Sequence, residues 1–545
     1  MGETILNEAQ MAAVSHRNGP ALVLAGPGSG KTTVITHRSV AIAKEIALPG
    51  RLLSVTFTRA AGLEMAQRYC KLAGIEQPKP GEIPVYQTVH AFCNGVIGIY
   101  ERETGRHFTR IEGEGGGKMQ ILSNLYHRYN NKTPDGPTLK VLESAASRRT
   151  TDDRIPNESK ILEAYTAYKR DHDFLDFEDM ISVCLEILQT HPDFCARMAA
   201  RFDYVQVDEG QDLSREQYEV IRLIAPHKNL LIVADDDQSI YRFRGAEPSC
   251  IFDFVKQYPD CARYDLTQNY RSTRRIVEAA SRVVSRNEKR FDKDLYTKRS
   301  KGTPVKVRCF AGCGEQANYV CDRLAKAGGG AVLYRNGVSS LTVRLALTLR
   351  GIPYEIRGGY ERVGDIQVVG DILQEILQAE RRARFILPSP AKTFKRMVQD
   401  GYIAGLRREY ERSREHQRYL SAVLEFVSLL VTSCDSWRAC VEVLGKMDQN
   451  STNPTVLLTT IHSAKGLEFN TVCMIDLIEG EFPGSGATAG EDLEEERRLF
   501  YVGMTRAKDT LYLCSPLARG GREETESRFV GEIGKDCYNP ILRFV

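Results

Sequence analysis

Between an apolar run, Ala21-Leu22-Val23-Leu24, and a segment of helical periodicity, Thr32 to Glu45, lies the turn Ala25-Gly26-Pro27-Gly28-Ser29-Gly30-Lys31-Thr32. No other feature limits the fold as strongly. In a strand–turn–helix setting, such glycines let successive backbone N–H groups turn inward on phosphates, and the helix N-terminus adds its positive dipole end. Lys31 then reaches the β- and γ-phosphates of a nucleotide, and the Thr32 hydroxyl ligates magnesium. The first position, glycine in the common pattern, is Ala25. The competing reading is a glycine-rich turn that ends in Lys-Thr by chance. A strand at Leu52–Phe57 and a helix at Ala60–Lys71 follow, and strands recur at Tyr204–Asp208 and Leu230–Ala234. Strands alternating with helices predict a parallel, doubly wound sheet.

The chain has 545 residues, too many for one core by the usual domain size. A second strand–helix series begins near Thr303, with Ala331–Tyr334 as a central strand, and resumes at Val456–Thr460, Val472–Ile475 and Thr510–Leu513. Residues from Tyr100 to about Asp173, broken at Gly113–Gly117, and from about Asp371 to Gln449 are charged and helix-forming instead. The expected organisation is a first core at 1–99 and 174–265, with a helical insertion at 100–173. A second core follows at 266–370 and 450–545, with a helical insertion at 371–449.

Net charge is only +3, so nucleic acid cannot be inferred from the overall balance. No basic segment followed by an apolar core opens the chain, and no apolar run reaches about 18 residues, which argues against a signal peptide or membrane span. The fourteen cysteines then read as reduced thiols of a cytoplasmic protein. Cys309, Cys313 and Cys321 lack the paired spacing of a zinc site.

Tyr204-Val205-Gln206-Val207-Asp208-Glu209 is a strand ending in two carboxylates, which would share a crevice with the phosphate loop. Asp208 can hold magnesium through water, and Glu209 can orient or deprotonate an attacking water. The segment Asp235 to Gly245 mixes carboxylates, Gln238, Tyr241, Phe243 and the arginines Arg242 and Arg244. Its amide can sense a γ-phosphate, and its aromatics can stack on unpaired bases. The alternative is a charged loop with aromatic anchors. Glu494 to Ala507 reads as a helix with clustered charges, for which the alternative is an exposed, salt-bridged helix.

These segments, in this order, resemble the helicase motifs of the UvrD/Rep/PcrA group of superfamily 1. Leu6–Gln10 resembles the Q motif, Val55–Ala61 motif Ia, Thr88–His90 its neighbour, Asp208–Asp212 motif II and Gln238–Gly245 motif III. Gln268–Thr273 is similar to motif IV, Thr459–Phe469 to motif V and Tyr501–Ala507 to motif VI. The matches run from residue 6 to residue 507.

The resemblance implies two RecA-like cores that close on one ATP with magnesium. On the nucleotide side it assigns Gln10, Gly26, Gly28, Ser29, Gly30, Lys31, Thr32 and Thr33, with Tyr270 stacking on adenine and Glu468 binding the ribose. Thr32 and Asp208 hold the metal. Lys31, Glu209, Gln238, Arg271 and Arg506 carry the chemistry, the two arginines coming from the second core. A single DNA strand is expected along Phe57, Thr58, Thr88, His90, Tyr241, Phe243 and Arg244 of the first core, and along Arg335 and His462 of the second. The implied activity is 3′–5′ movement on single-stranded DNA, with unwinding of 3′-tailed duplex.

The chain also departs from the family pattern. Thr33 replaces a common arginine, which leaves selectivity for ATP open, and Phe243 replaces a tryptophan. Gly210 replaces a bulky residue and predicts looser packing under the catalytic loop. Gly358-Gly359-Tyr360-Glu361-Arg362 echoes a family segment whose aromatic pair is missing. The second insertion looks short, so a compact translocase and a DNA-sensing motor subunit of a larger complex, for example with a nuclease, both stay open. No nuclease motif is appended, and no membrane partner is expected.

Overall fold

The structure, a computed structural model, describes residues 5–46, 48–111, 117–148, 151, 155–225, 229–358, 362–382, 389–410, 414–534 and 536–540. It divides into two compact units, Met1–Gly26 with Gly30–Leu266, and Pro27–Ser29 with Thr267–Val545.

In the first unit the strands are β1 (Ala21–Ala25), β2 (Leu52–Thr56), β3 (Val85–Thr88), β4 (Thr109–Arg110), β5 (Phe174–Leu175), β6 (Tyr204–Val207), β7 (Leu230–Ala234) and β8 (Ala262–Leu266). Six of them form a sheet of order β3-β2-β6-β7-β1-β8, parallel throughout. β1 and β7 are buried at every position. Helices cover both faces of such a sheet, so its central strands read as unbroken apolar runs rather than alternating ones.

The helices are α1 (Glu8–Ser15), α2 (Lys31–Ala43), α3 (Arg59–Ala73), α4 (Val89–Thr104), α5 (Gly117–Asn130), α6 (Gly136–Arg148), α7 (Glu158–Asp171), α8 (Phe177–Thr190), α9 (Pro192–Ala199), α10 (Arg215–Ile224) and α11 (Ser249–Gln257). Their starts are set locally. Asn7, Asp176 and Ser214 each close a capping box on the helix that follows. Thr58 and Thr88 cap α3 and α4 through their side chains. Helices α5 to α7 bury their own cluster, including Leu122, Leu142, Ile161 and Tyr165. Of the expected Gly113–Gly117 break, residues 113–116 lie outside the described residues.

The second unit holds α12 (Arg274–Val284), β9 (Val305–Phe310), α13 (Cys313–Ala327), β10 (Gly330–Tyr334), α14 (Ser340–Leu349) and β11 (Tyr354–Arg357). Then come α15 (Gln367–Arg382), α16 (Pro390–Gln399), α17 (Tyr402–Glu409), α18 (Arg414–Ser433) and α19 (Trp437–Met447). The unit ends with β12 (Val456–Thr460), β13 (Phe469–Met474), α20 (Gly490–Met504), β14 (Ala507–Pro516), the hairpin β15 (Ala518–Arg519) and β16 (Arg522–Glu523), α21 (Arg528–Glu532) and β17 (Tyr538–Pro540). Its seven-stranded sheet has the order β11-β12-β10-β13-β14-β9-β17, again all parallel. Helices α15 and α18 share a core around Ile372, Ile376, Val423, Phe426 and Leu430.

One alternative reading falls here, and one expectation needs correction. Helix α20 is not an exposed, salt-bridged surface: Glu496 through Met504 are buried, and Arg497 pairs with Glu532 at 2.8 Å inside the unit. Nor does Gly210 loosen the packing beneath it. A Cβ built there would lie 2.4 Å from Ile232 Cγ2 on β7, so the Ile232 side chain already fills that space. Gly210→Ala is therefore expected to destabilise the protein by about 1–3 kcal/mol, the usual scale of overpacking. A lowered chemical-denaturation midpoint would show it, whereas an unchanged midpoint would mean that Ile232 can rotate away.

Candidate active site

Strand β1 ends at Ala25, and Gly26 N donates to Leu266 O of β8 at 3.1 Å. Gly30, the N-cap of α2, has φ +88°, and a Cβ there would lie 2.8 Å from Gln10 Nε2. Both facts require glycine. Gln10 is held in turn by the α1 capping box: its Oε1 accepts from Asn7 N at 3.0 Å, which leaves the amide nitrogen directed at the loop. Thr32 and Thr33 follow Lys31 in the first turn of α2.

Lys31 Nζ lies 3.2 Å from Glu209 Oε2. Glu209 has φ +54°, a left-handed conformation that a residue with a side chain adopts at a cost of about 1–3 kcal/mol. This conformation follows directly on β6, so the carboxylate turns back over the sheet's carboxyl edge. Gln211 Nε2 donates to the same Oε2 at 2.5 Å, and its Oε1 accepts from Asp235 N at 2.9 Å. Gln238 Nε2 then donates to Asp235 Oδ2 at 2.5 Å. One hydrogen-bonded relay thus joins the ends of three neighbouring strands, β1, β6 and β7. Gln211 was not singled out by sequence reasoning, although its place two residues after Glu209 was visible.

Asp208 is nearly buried, and its Oδ1 accepts from Glu209 N at 3.1 Å. The Thr32 hydroxyl with the Asp208 carboxylate is a hard-oxygen donor set of the kind magnesium takes. Asp235, Asp236 and Asp237 are also buried, with carboxylate oxygens within 4.8 Å of one another.

In the second unit, Arg271 Nε donates to Glu468 Oε2 at 2.8 Å, and Lys508 Nζ lies 2.6 Å from Glu468 Oε1. Burial works against the Glu468 charge, but the Lys508 and Arg271 hydrogen bonds outweigh it and hold this carboxyl below its usual range. Arg271 Nη1 also donates to Thr505 O at 3.1 Å. Arg506, 1% exposed, folds back on the end of α20, donating to Val502 O at 3.0 Å and Leu467 O at 3.3 Å. The loop tip Pro27–Ser29 belongs to this unit. Asn269 Nδ2 donates to Pro27 O at 2.7 Å, and Tyr270 N donates to Gly28 O at 2.9 Å. Gly28 has φ +64°, and a Cβ on it would meet Arg271 Cβ at 2.6 Å. Asn269 also holds the backbone of Arg271 and Ser272 through its Oδ1. Its positioning role was missed because it depends on partners distant in sequence. Tyr270 is 45% exposed.

A cavity of about 970 Å³ in the first unit is lined by Phe57, Thr88, His90 and Phe243, and also by Asp208 and Glu209. Four residues expected on the DNA path therefore share one cavity with the two carboxylates that follow β6. Phe243 is 50% exposed. Tyr241 lies flat on Phe57, with ring centroids 5.1 Å apart and an interplanar angle of 13°. The hydroxyls of Thr58 and Thr88 are engaged as caps, accepting from Ala61 N and Ala91 N, so both helix N-termini are tied to this region. Burial lowers the pKa of His90, whose ring packs edge-on to Phe177. Phe177, Arg148 and Arg215 line the cavity too and were not anticipated. Phe177 opens α8 as an exposed aromatic, the one signal that could have drawn attention to it. The Arg244 side chain lies outside the described residues, as do residues 359–361 of the glycine segment.

On the second sheet, Tyr334 pairs with Thr460 across β10 and β12, and Ile461 N donates to Tyr334 O at 3.0 Å. Arg335 and His462 thus follow adjacent strands at one carboxyl edge. Arg335 is bound to Glu496 at 2.9 Å.

A phosphate-type loop at the end of one parallel strand, with acidic and amide groups at the ends of its neighbours, defines a P-loop nucleoside triphosphatase. Comparison with known proteins gives the family. The profile of the UvrD/REP helicase N-terminal domain matches residues 6–259, and that of the UvrD-like helicase C-terminal domain matches residues 264–362 and 402–516. Bacillus subtilis (strain 168) YjcD is 30% identical over 98% of this chain and 82% of its own length. The ATP-dependent DNA helicase PcrA of Leuconostoc citreum is 29% identical over 97% of this chain and 85% of its own, and PcrA of Bacillus subtilis (strain 168) is 28% identical over 97% and 86%. The chain belongs to the UvrD/REP helicase family, whose members hydrolyse ATP. Among the described residues, no helix is long and apolar enough to cross a membrane.

Proposed function

We propose that this chain is a DNA-dependent ATPase that moves 3′–5′ along single-stranded DNA and unwinds 3′-tailed duplex. The observation that carries the reading is the relay Lys31–Glu209–Gln211–Asp235–Gln238, whose central carboxylate also lines the cavity of Phe57, His90 and Phe243. A change at the nucleotide is thereby one hydrogen bond away from a change at the DNA strand.

Lys31 exchanges Glu209 for the terminal phosphates of ATP, and the released carboxylate orients the attacking water and draws its proton. Thr32 and Asp208 would hold magnesium, which when bound would neutralise charge on the phosphate oxygens. Gln238 senses whether the γ-phosphate is present. Arg271 and Arg506 supply the positive charge that phosphoryl transfer requires. Arg271 must first leave Glu468. That pair is part-exposed, so separating it costs only about 1 kcal/mol or less. Glu468 then binds the ribose, Tyr270 stacks on the adenine, and the Gln10 amide meets its edge. Hydrolysis is coupled in this way to closure of the two cores.

Bases stack on Phe243 and against the Phe57–Tyr241 pair, while His90 and Thr88 border the strand. Stacking is tolerant of sequence because every base has a π-face. Phe243→Ala is expected to weaken single-strand affinity by roughly 1–3 kcal/mol, or about 5- to 150-fold. Fluorescence anisotropy with a labelled oligonucleotide reads this directly. Unchanged affinity would remove Phe243 from the DNA path.

A further inference from the structure

Among the described residues, β3 ends the first sheet and pairs on one side only, with β2. In a parallel strand, alternate residues direct their N–H and C=O to one neighbour, so half of the β3 backbone groups face away from the sheet. Such an edge is a template for another strand. Two grooves flank this one, and both reach Gln87. On the α4 side, a groove of about 650 Å³ reaches Val85 and Gln87, with Phe92, Val96, Met198 and Phe202 among its lining residues. Gly95 and Gly98 of α4 open into it without side chains. Beside α3, a groove of about 350 Å³ reaches Tyr86, Gln87 and Thr88, bordered by Leu63, Ala66, Ile83 and Ala91.

The charged residues that line the two grooves are all arginines. Arg102, Arg110 and Arg201 line the first and Arg59 the second, and neither is lined by any carboxylate. Arg110 is bound to Glu101, whereas the guanidinium groups of Arg102 and Arg201 make no hydrogen bond or ion pair among the described residues. Leu63 is 62% exposed at the rim of the second groove.

We propose that the β3 edge captures an extended acidic peptide from a partner protein, which adds as a further strand. Its backbone pairs with β3. Its side chains alternate, acidic ones toward Arg102 and Arg201 and apolar ones toward Leu63 and Ile83. Recognition of this kind combines main-chain pairing with side pockets for alternate residues. A nucleic-acid strand would satisfy the arginines, but it would leave the edge amides and the apolar floors unmatched.

The test uses the full chain and a fluorescein-labelled peptide of alternating valine and glutamate, about eight residues long. Anisotropy should show saturable binding, and hydrogen exchange should show protection of the 85–88 amides on peptide addition. The same peptide N-methylated at alternate residues keeps its charges but cannot pair as a strand, and should bind at least about tenfold more weakly. So should a valine–lysine peptide. The double variant Arg102→Glu with Arg201→Glu reverses two exposed charges and should weaken the valine–glutamate peptide at least about tenfold, with ATP turnover unchanged. Equal binding of the N-methylated peptide, or no binding up to about 1 mM, would overturn the proposal. If an oligonucleotide displaces the peptide and the double variant loses DNA affinity, the surface belongs to nucleic acid and the proposal fails. Self-association of the chain that the peptide abolishes would assign the edge to a second copy and overturn it equally.

Discussion

Replacing Lys31 by alanine is expected to lower ATP turnover by roughly 10³-fold or more, the scale on which removing a charge that faces a transferring phosphoryl group is felt. The variant should fold. Glu209 keeps 26% side-chain exposure and still accepts from Gln211 Nε2, so the carboxylate left by the change stays partly hydrated and hydrogen-bonded. Nucleotide binding should weaken together with turnover, because Lys31 acts on the phosphates in the ground state as well as in the transition state. Steady-state phosphate release and titration with a fluorescent ATP analogue separate the two quantities. Turnover like that of the unaltered protein would mean that the loop Gly26–Thr32 does not hold the reacting nucleotide.

Glu209→Gln should separate what Lys31→Ala combines. The amide keeps the volume, and its oxygen can still accept from Gln211 Nε2, so the relay to Asp235 and Gln238 survives. It cannot take a proton from water. Turnover should therefore fall by about 10²- to 10⁴-fold, the usual contribution of a general base, while ATP and single-strand affinity hold. Loss of ATP affinity along with turnover would instead make Glu209 a phosphate-site residue that acts through Lys31. The left-handed backbone at Glu209 bears on the same point. Strain of this kind persists where the surroundings over-determine it, and here Lys31 and Gln211 both hold the carboxylate.

The parts of the fold that rest on local pattern were legible in the sequence. Ala21–Ala25 and Leu230–Ala234 read as buried strands because a parallel sheet covered on both faces leaves no polar alternation. The loop between β1 and α2 was legible because glycines at 28 and 30 answer backbone angles that few other residues adopt. What stayed hidden depends on residues far apart in the chain. Gly210 suggested loose packing until Ile232, on another strand, was placed against it. Gln211 and Asn269 stood in recognised segments without a role, since their roles consist of the partners they join. Phe177 was invisible as a cavity wall because the segment before it looked only helical and charged. Arg335 was expected at the DNA and is found bound to Glu496 on α20, a partner more than a hundred residues away that no spacing rule connects to it.

The central claim is that ATP hydrolysis and strand movement share one relay through Glu209. Its most direct test is ATP hydrolysis measured with and without single-stranded DNA, alongside displacement of strands from duplexes tailed at the 3′ or the 5′ end. The account predicts strong stimulation by single strands and displacement from the 3′-tailed duplex alone. Hydrolysis indifferent to DNA, or displacement that favours the 5′ tail, would contradict it.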